Sequence, residues 1–431
     1  SQEIVGTPES ENLTGGFGND TIYGNGGNDE IDGQAGSDVI YGGEGDDVII
    51  GNFGNDTLYG EAGNDRITDD QGVNYIDGGE GNDTLSSRSL IGDHTLIGGS
   101  GQDNITGTGE TLYIDGGEGQ DYINIYGYVQ NEGVNNYLSS GEATVLAGGG
   151  DDYINADRFD NVTIRGGEGQ DNFYAYGEYN RWEETAVFYG EEGDDYASLN
   201  SINNVELSGG SGLDNFNLSQ FLSGIISGGD DDDYAYVNSG GNISISGDDG
   251  NDSLTSYYNI SSSLYGGKGN DQLTLSFSSS SFYNYTSLYD SGSFERDYYG
   301  ELINQPTSVL EGGEDNDTLN IIGDDTSITG TYKSNIEASG GDGDDTIKIT
   351  DNRAGVIGQS GQNYGFREAQ IDGGSGEDNI SVSGVLNASI TTGSGSDTVA
   401  LTAQQFRTIE EGDRRKFRYY WDSENGDQSL E

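Results

Sequence analysis

The chain has 431 residues, and its 77 acidic residues against 16 basic ones give a formal net charge of −61 at neutral pH. This charge excludes nucleic acid and anionic membranes as general partners, since both repel an acidic surface. The chain has no cysteine, which excludes disulfides and thiol chemistry, and no apolar run approaches membrane-spanning length. Only 31% of the residues are hydrophobic and 75 are glycine, a composition that indicates disorder unless the apolar residues recur periodically.

A nine-residue repeat fills residues 6–86 in about nine consecutive copies. Three successive copies read GGFGNDTIY from Gly15, GNGGNDEID from Gly24 and GQAGSDVIY from Gly33. Glycine occupies the first and fourth positions, an Asp the sixth, and Ile or Leu the eighth. A unit this short cannot bury a core alone, so the copies must stack on one another.

These copies resemble the GGxGxDxUx nonapeptide of the RTX calcium-binding β-roll repeat proteins, which are secreted or displayed on cell surfaces. The resemblance implies a parallel β-roll with calcium in its glycine-rich loops. It also implies export by a one-step (type I) secretion apparatus that reads an uncleaved C-terminal signal. No cleavable signal peptide opens the chain at Ser1, which agrees with that route.

The loop chemistry also favours calcium. Glycine permits tight curvature that turns backbone carbonyls inward, and the sixth-position Asp adds a carboxylate. Calcium takes six to eight oxygen ligands, whereas zinc would require His and Cys, and this chain has a single His and no Cys. We therefore expect about 18 calcium ions, which would neutralise roughly 36 of the negative charges and couple metal binding to folding.

After residue 86 the repeat continues with wider spacing, and from Asp195 to Asp271 the sixth-position Asp recurs at a constant interval, one residue longer than two nonapeptides. The predicted fold is all-β: a parallel β-roll continuing into a single-edge calcium-binding parallel β-helix, a solenoid of about 17 turns. We predict three regions: a β-roll with calcium on both edges over 1–86, the β-helix over 87–400, and a C-terminal cap or tail over 401–431. Insertions are expected near 125–147, 276–311 and 351–370.

Successive copies should alternate between two edges of the roll. One edge carries Asp20, Asp38 and Asp56 and ends where Asn74 replaces the Asp, so Asn74→Asp should complete it. The other edge should continue through every later turn. The predicted calcium ligands are Asp20, Asp29, Asp38, Asp47, Asp56, Asp65, Asp83, Asp103, Asp121, Asp152, Asp171, Asp195, Asp214, Asp233, Asp252, Asp271, Asp317, Asp345, Asp378 and Asp397.

Motifs for an enzyme are missing: there is no GxSxG, no HExxH and no Cys nucleophile, and His94 stands alone. We therefore predict a non-enzymatic extracellular protein, the building block of a cell-surface layer, sheath or filament. A calcium-dependent adhesin that binds glycan or a host surface through the Tyr- and Ser-rich segment 277–306 is the alternative. A carbohydrate-acting enzyme on a β-helix is the third reading. The basic, aromatic segment from Arg414 to Trp421 is a cap, a docking tip for another copy or a secretion signal.

Overall fold

The structure, a computed structural model, describes the chain except for residues 90–91, 128–140, 178–183, 260, 278–306, 324–334, 352–367, 386, 403–407 and 411–431. Every regular element in the described ranges is a β-strand, and none of them is a helix. Within these ranges no helix is long and apolar enough to cross a membrane. The chain divides into two compact units, Ser1–Ser211 and Gly212–Glu431, hereafter the first and the second unit.

The described residues of the first unit form 21 strands, which alternate along the chain between two parallel sheets. They are β1 (Glu3–Val5), β2 (Asn12–Phe17), β3 (Thr21–Gly26), β4 (Glu30–Ala35), β5 (Val39–Glu44), β6 (Val48–Ile50), β7 (Thr57–Ala62), β8 (Arg66–Asp69), β9 (Tyr75–Glu80), β10 (Thr84–Ser87), β11 (Asp93–Ser100), β12 (Asn104–Thr108), β13 (Thr111–Glu118), β14 (Tyr122–Tyr126), β15 (Glu142–Gly149), β16 (Tyr153–Asp157), β17 (Asn161–Glu168), β18 (Asn172–Tyr176), β19 (Thr185–Glu192), β20 (Tyr196–Asn200) and β21 (Asn204–Ser211).

Within the first unit, each strand from β1 to β19 pairs in parallel with the strand two places further along the chain. Thr21 of β3 lies opposite Val39 of β5, and Glu30 of β4 lies opposite Val48 of β6. One turn of the solenoid therefore contains two nonapeptides in this part of the chain. This register places every position of a copy beside the same position of the copy two further along the chain.

The eighth-position residues form the core of these turns. Ile22, Ile40 and Leu58 stack in the odd-numbered sheet, Ile31 and Ile49 stack in the even-numbered one, and all are fully buried. Burying such a side chain contributes about 1.5–3 kcal/mol, so a turn with two of them gains little on its own. Stability therefore depends on stacking and on what holds the loops between the strands.

The second unit repeats the architecture with β22 (Asn215–Ser219), β23 (Ser223–Asp230), β24 (Tyr234–Asn238), β25 (Asn242–Asp249), β26 (Ser253–Tyr257), β27 (Ser261–Lys268), β28 (Gln272–Phe277), β29 (Thr307–Glu314), β30 (Thr318–Gly323), β31 (Asn335–Asp342), β32 (Thr346–Asp351), β33 (Glu368–Asp372), β34 (Asn379–Ser383), β35 (Asn387–Thr391), β36 (Thr398–Thr402) and β37 (Thr408–Glu410). Its first full turns are one residue longer than two nonapeptides, as Tyr234 of β24 pairs with Ser253 of β26. Phe216, Val237, Leu254 and Leu273 are among its buried core residues.

The all-β parallel solenoid predicted from the repeat is confirmed in both units. The three region boundaries remain predictions. Most of each predicted insertion, and most of the C-terminal region, lies outside the described residues.

Candidate metal centres

The sixth-position Asp residues form hydrogen-bonded ladders that run from turn to turn. The backbone N–H of Asp47 donates to Oδ1 of Asp65 one turn on, at 2.7 Å, and Asp65 donates in the same way to Asp83. All twenty predicted ligands lie in such ladders, with N to Oδ1 distances from 2.7 to 3.2 Å. We call the column of Asp20, Asp38 and Asp56 the short edge, and the column from Asp29 to Asp195 the long edge.

The second carboxylate oxygen, Oδ2, is buried in these residues and accepts no hydrogen bond from any described residue. This holds for Asp20, Asp29, Asp38, Asp47, Asp56, Asp65, Asp83, Asp103, Asp121, Asp152, Asp171, Asp233, Asp252, Asp271, Asp317, Asp345 and Asp378. Burial raises the pKa of Asp65 to about 7 and the pKa of Asp171 to about 8. A buried, unpaired carboxylate is strongly unfavourable, so each of these oxygens requires either a proton or a bound cation.

First-position glycines keep a space open beside these oxygens, except at Asp152, where the first position is Ala147. A Cβ built on Gly15 would lie 2.6 Å from the carbonyl oxygen of Gly33 and 3.0 Å from Oδ2 of Asp20. A Cβ on Gly33 would lie 2.7 Å from Oδ2 of Asp38 and 2.9 Å from the Gly51 carbonyl oxygen. The same two neighbours recur at first-position glycines of the long edge and of the second unit. Each such space is therefore bordered by a carboxylate oxygen and by a carbonyl oxygen from the next turn.

The fourth-position glycine is required for a different reason. Gly45 has a φ of +121°, which side chains rarely adopt, and a Cβ there would collide with the carbonyl of Gly27 in the turn before. Gly63 stands in the same relation to Gly45. Only glycine allows successive loops to approach this closely.

A second ladder on the outside of the loops was missed by the sequence analysis, which treated the fifth position as variable. The N–H of Asp46 donates to the side chain of Asn28 in the preceding turn, and the N–H of Asn64 donates to Asp46. The adjacent sixth-position N–H groups donate to the following turn instead. Each loop is thus hydrogen-bonded to the turn before it and to the turn after it. The frequent Asn and Asp at the fifth position is the feature of the sequence that could have predicted this second ladder.

The short edge ends gradually. The N–H of Asp56 donates to Oδ1 of Asn74, the N–H of Asn74 donates to Nδ1 of His94, and His94 lies opposite Leu112 in the next strand. His94 is only 1% exposed, and this burial lowers its pKa. Both observations agree with a neutral imidazole ring packed in the core. Beyond Leu112 the column is apolar, so hydrophobic contact replaces polar groups on this edge of the first unit.

The ends of the ladders depart from the repeat. Both begin with residues that the sequence analysis omitted: the N–H of Gln2 donates to Asp20, and that of Glu11 donates to Asp29. Asp397, the last predicted ligand, is only half-buried. Its carboxylate therefore resembles the buried ligands least.

Ala147 is the one first-position residue of the long edge with a methyl group, and it stands in the same loop as Asp152. It is fully buried. Its Cβ takes up the space that glycine leaves open in the neighbouring turns.

The donor set fits calcium. The atoms that border each space are carboxylate and carbonyl oxygens, the ligands that calcium prefers. Among the described residues no three Asp, Glu, His or Cys side chains come together in a group that could hold a metal ion by themselves. Backbone carbonyls would therefore supply much of each coordination shell.

Four segments of the chain match the RTX calcium-binding nonapeptide repeat: residues 5–40, 27–58, 50–85 and 262–276. The first three cover the regular copies in the first unit, and the fourth covers the loop of Asp271. A search of curated proteins found no significant match.

Proposed function

Because the chain carries RTX calcium-binding nonapeptide repeats, we propose that it is an extracellular, calcium-loaded structural protein that serves as a building block of a cell-surface layer, sheath or filament. The observation that carries the calcium-dependent part is the column of buried Asp Oδ2 atoms without hydrogen-bond partners. Proteins with RTX repeats are typically secreted. Extracellular calcium modules have dissociation constants of about 10⁻⁴–10⁻³ M, so the ions would bind after export.

The metal sites are part of the fold itself. The carboxylates lie in the loops that connect the two sheets, and each is hydrogen-bonded to the turn before it. Without cations, the charge of −61 and the buried carboxylates oppose a core of about two large apolar side chains per turn. Calcium would therefore stabilise the whole solenoid, which suits a structural component.

Two exposed phenylalanines support the assembly part of the proposal. Phe17 and Phe53 occupy the third loop position on the short edge and are 93% and 60% exposed. The same position on the long edge carries acidic residues such as Glu44 and Glu80. Large exposed apolar side chains on an otherwise acidic surface indicate a contact with another molecule, and a second copy of this chain is the partner we propose.

The calcium-dependent part is tested by circular dichroism of the full chain during calcium titration. Cooperative gain of β-structure is expected at sub-millimolar to millimolar calcium, with loss in excess chelator. A chain that keeps its full β signal in chelator would contradict it.

The assembly part is tested by imaging particles of the purified chain with calcium. Regular polymers are expected, and the double variant F17S/F53S should form far fewer of them while its β signal stays unchanged. The matched control, E44S/E80S, changes the same loop position on the long edge and should polymerise normally. Monodisperse wild-type particles would refute self-assembly.

A calcium-dependent adhesin remains the alternative, but the described residues give it no specific support. Its Tyr- and Ser-rich segment, 277–306, lies almost entirely outside them. Elsewhere, Tyr122 and Tyr153 stack with ring centroids 4.9 Å apart, as do Tyr23 and Tyr41 at 5.1 Å. Such ladders stabilise neighbouring strands and present ring edges to a ligand, rather than the ring faces on which sugars stack.

A further inference from the structure

The last carboxylate of the short edge, Asp56, has an acidic neighbour that the repeat does not supply. The strand register places Gly15, Gly33 and Gly51 in one column of first positions, and the next member of that column is Asp69 at the end of β8. Asp69 is fully buried. An Asp in place of the first-position glycine therefore closes this column.

The carboxylates of Asp56 and Asp69 converge on one space. A Cβ built on Gly51 would lie 2.7 Å from Oδ2 of Asp56 and still closer to Oδ2 of Asp69. In the preceding turn the corresponding neighbours are one carboxylate and the carbonyl oxygen of Gly51. Asp69 thus places a second carboxylate where other turns have a carbonyl.

Apart from the contact between the two carboxyl groups themselves, neither of these oxygens has a hydrogen-bond partner among the described residues. Oδ1 of Asp56 accepts from the N–H of Asp38 at 2.7 Å, and Oδ1 of Asp69 accepts from the N–H of Gln71 at 3.1 Å. Both Oδ2 atoms remain buried and unpaired. Ser87 lies opposite Asp69 in the next strand and is also fully buried, with an Oγ that has no partner in the described structure.

The following space in the column is closed. Asp69 carries a Cβ where a glycine would leave room, and Asn74 replaces the sixth-position Asp of the same loop. Its Nδ2 is a buried hydrogen-bond donor rather than an anionic ligand. The short edge therefore ends with the space between Asp56 and Asp69.

We propose that Asp56 and Asp69 together bind one divalent cation in the space beside Gly51, more tightly than the sites of the same edge that have a single carboxylate. Two carboxylates balance the charge of a calcium ion, and calcium affinity rises with the number of charged ligands. This inference rests on the proposed calcium-loaded fold and adds to it a site that the nonapeptide does not encode.

The test is a crystal structure of the full chain with anomalous scattering from calcium, measured at saturating and at limiting calcium. A peak is expected within about 2.3–2.6 Å of Oδ2 of both Asp56 and Asp69. At limiting calcium its occupancy should exceed that of the site beside Gly15. In D69N the calcium concentration for half-occupancy at this site should rise by about 10–100-fold, as expected for loss of a charged ligand. The matched control is D70N, which makes the same change at the exposed neighbouring residue.

The outcomes separate this inference from the proposed function. Peaks beside Gly15 and Gly33 without one at Asp56 and Asp69 would overturn the inference alone, and would mean that the two carboxyl groups share a proton. The claim of tighter binding would be overturned if the site of Asp56 and Asp69 had an occupancy equal to or lower than that of the site beside Gly15. It would also be overturned if D69N and D70N bound calcium at this site with equal affinity. A folded chain without calcium at any Asp would overturn the proposed function as well.

Discussion

Replacing Asp65 with Asn should lower the free energy of unfolding in saturating calcium by about 1.5–3 kcal/mol, the range for hydrogen bonds and contacts to a charged group. Asp65 is 2% exposed and lies in the middle of the long edge. Its Oδ1 accepts from the N–H of Asp47 at 2.7 Å, and the amide oxygen of Asn can accept that bond equally well. The substitution therefore isolates Oδ2, the atom that borders the space beside Gly60.

The sign of this effect should depend on calcium. In its presence, Asn removes an anionic ligand, and about 1.5–3 kcal/mol corresponds to a 10- to 150-fold weaker site. In its absence, burial raises the pKa of Asp65 to about 7, so the ionised carboxylate opposes folding at neutral pH. The neutral amide removes that penalty and can donate to the carbonyl oxygen of Gly78 across the same space. The calcium-free variant should therefore be no less foldable than the wild type.

Urea unfolding at several free calcium concentrations measures both quantities. The dependence of the unfolding free energy on the logarithm of calcium gives the number of ions released. In D65N this number should fall by about one at calcium concentrations that fill the wild-type site but not the weakened one. D70N is the control and should match the wild type in both. If D65N and D70N give the same unfolding free energy and the same ion number, Oδ2 of Asp65 is not a ligand.

Three further predictions concern the Asp residues of the short and long edges. N74D alone should add no ion in native mass spectrometry, because the Cβ of Asp69 occupies the space, whereas D69G/N74D should add one; an extra ion in N74D would contradict this. A147G should strengthen the calcium site of Asp152, so that calcium stabilises this variant more than it stabilises the wild type. The control A156G makes the same change on the opposite edge, which carries no sixth-position Asp at this turn, and should only destabilise the fold. If calcium stabilises both variants equally, the steric argument is refuted. Burial raises the pKa values of the buried Asp carboxyls to between about 6 and 8. In chelator, folding should therefore be favoured below pH 4, where these groups are protonated, and lost as the pH rises from 6 to 8. Equal disorder by circular dichroism at pH 4 and at pH 8 would contradict this prediction.

The expectation for Asn74 shows how a sequence reading can be incomplete. The sequence identified Asn74 as the end of the short edge because the sixth position loses its acid there. The structure adds Asp69, earlier in the same loop, whose Cβ closes the same space. We therefore expect that completing the edge requires two substitutions instead of one.

The nonapeptide by itself determined the fold class and the ladder positions. Glycine at fixed positions, Asp at the sixth and Ile or Leu at the eighth impose one local conformation on every copy, so alternation between two sheets follows from the period. Ile31 and Ile49 are buried, and Asp47 and Asp65 meet across one turn, as that period requires. The later lengthening of each turn by a single residue was also readable from the spacing of the Asp residues.

Only the tertiary structure decided which groups share a space between turns. The meeting of Asp56 with Asp69, the contact of Asn74 with His94 and the outer ladder through Asp46 all join residues from different turns. These contacts depend on parallel register and on the close approach of stacked loops, which no single copy of the repeat encodes. An Asp carboxylate borders a metal site only because the neighbouring turn places a second oxygen close to it. The distance between these two oxygens is set by the stacking of the turns and not by any single copy of the repeat.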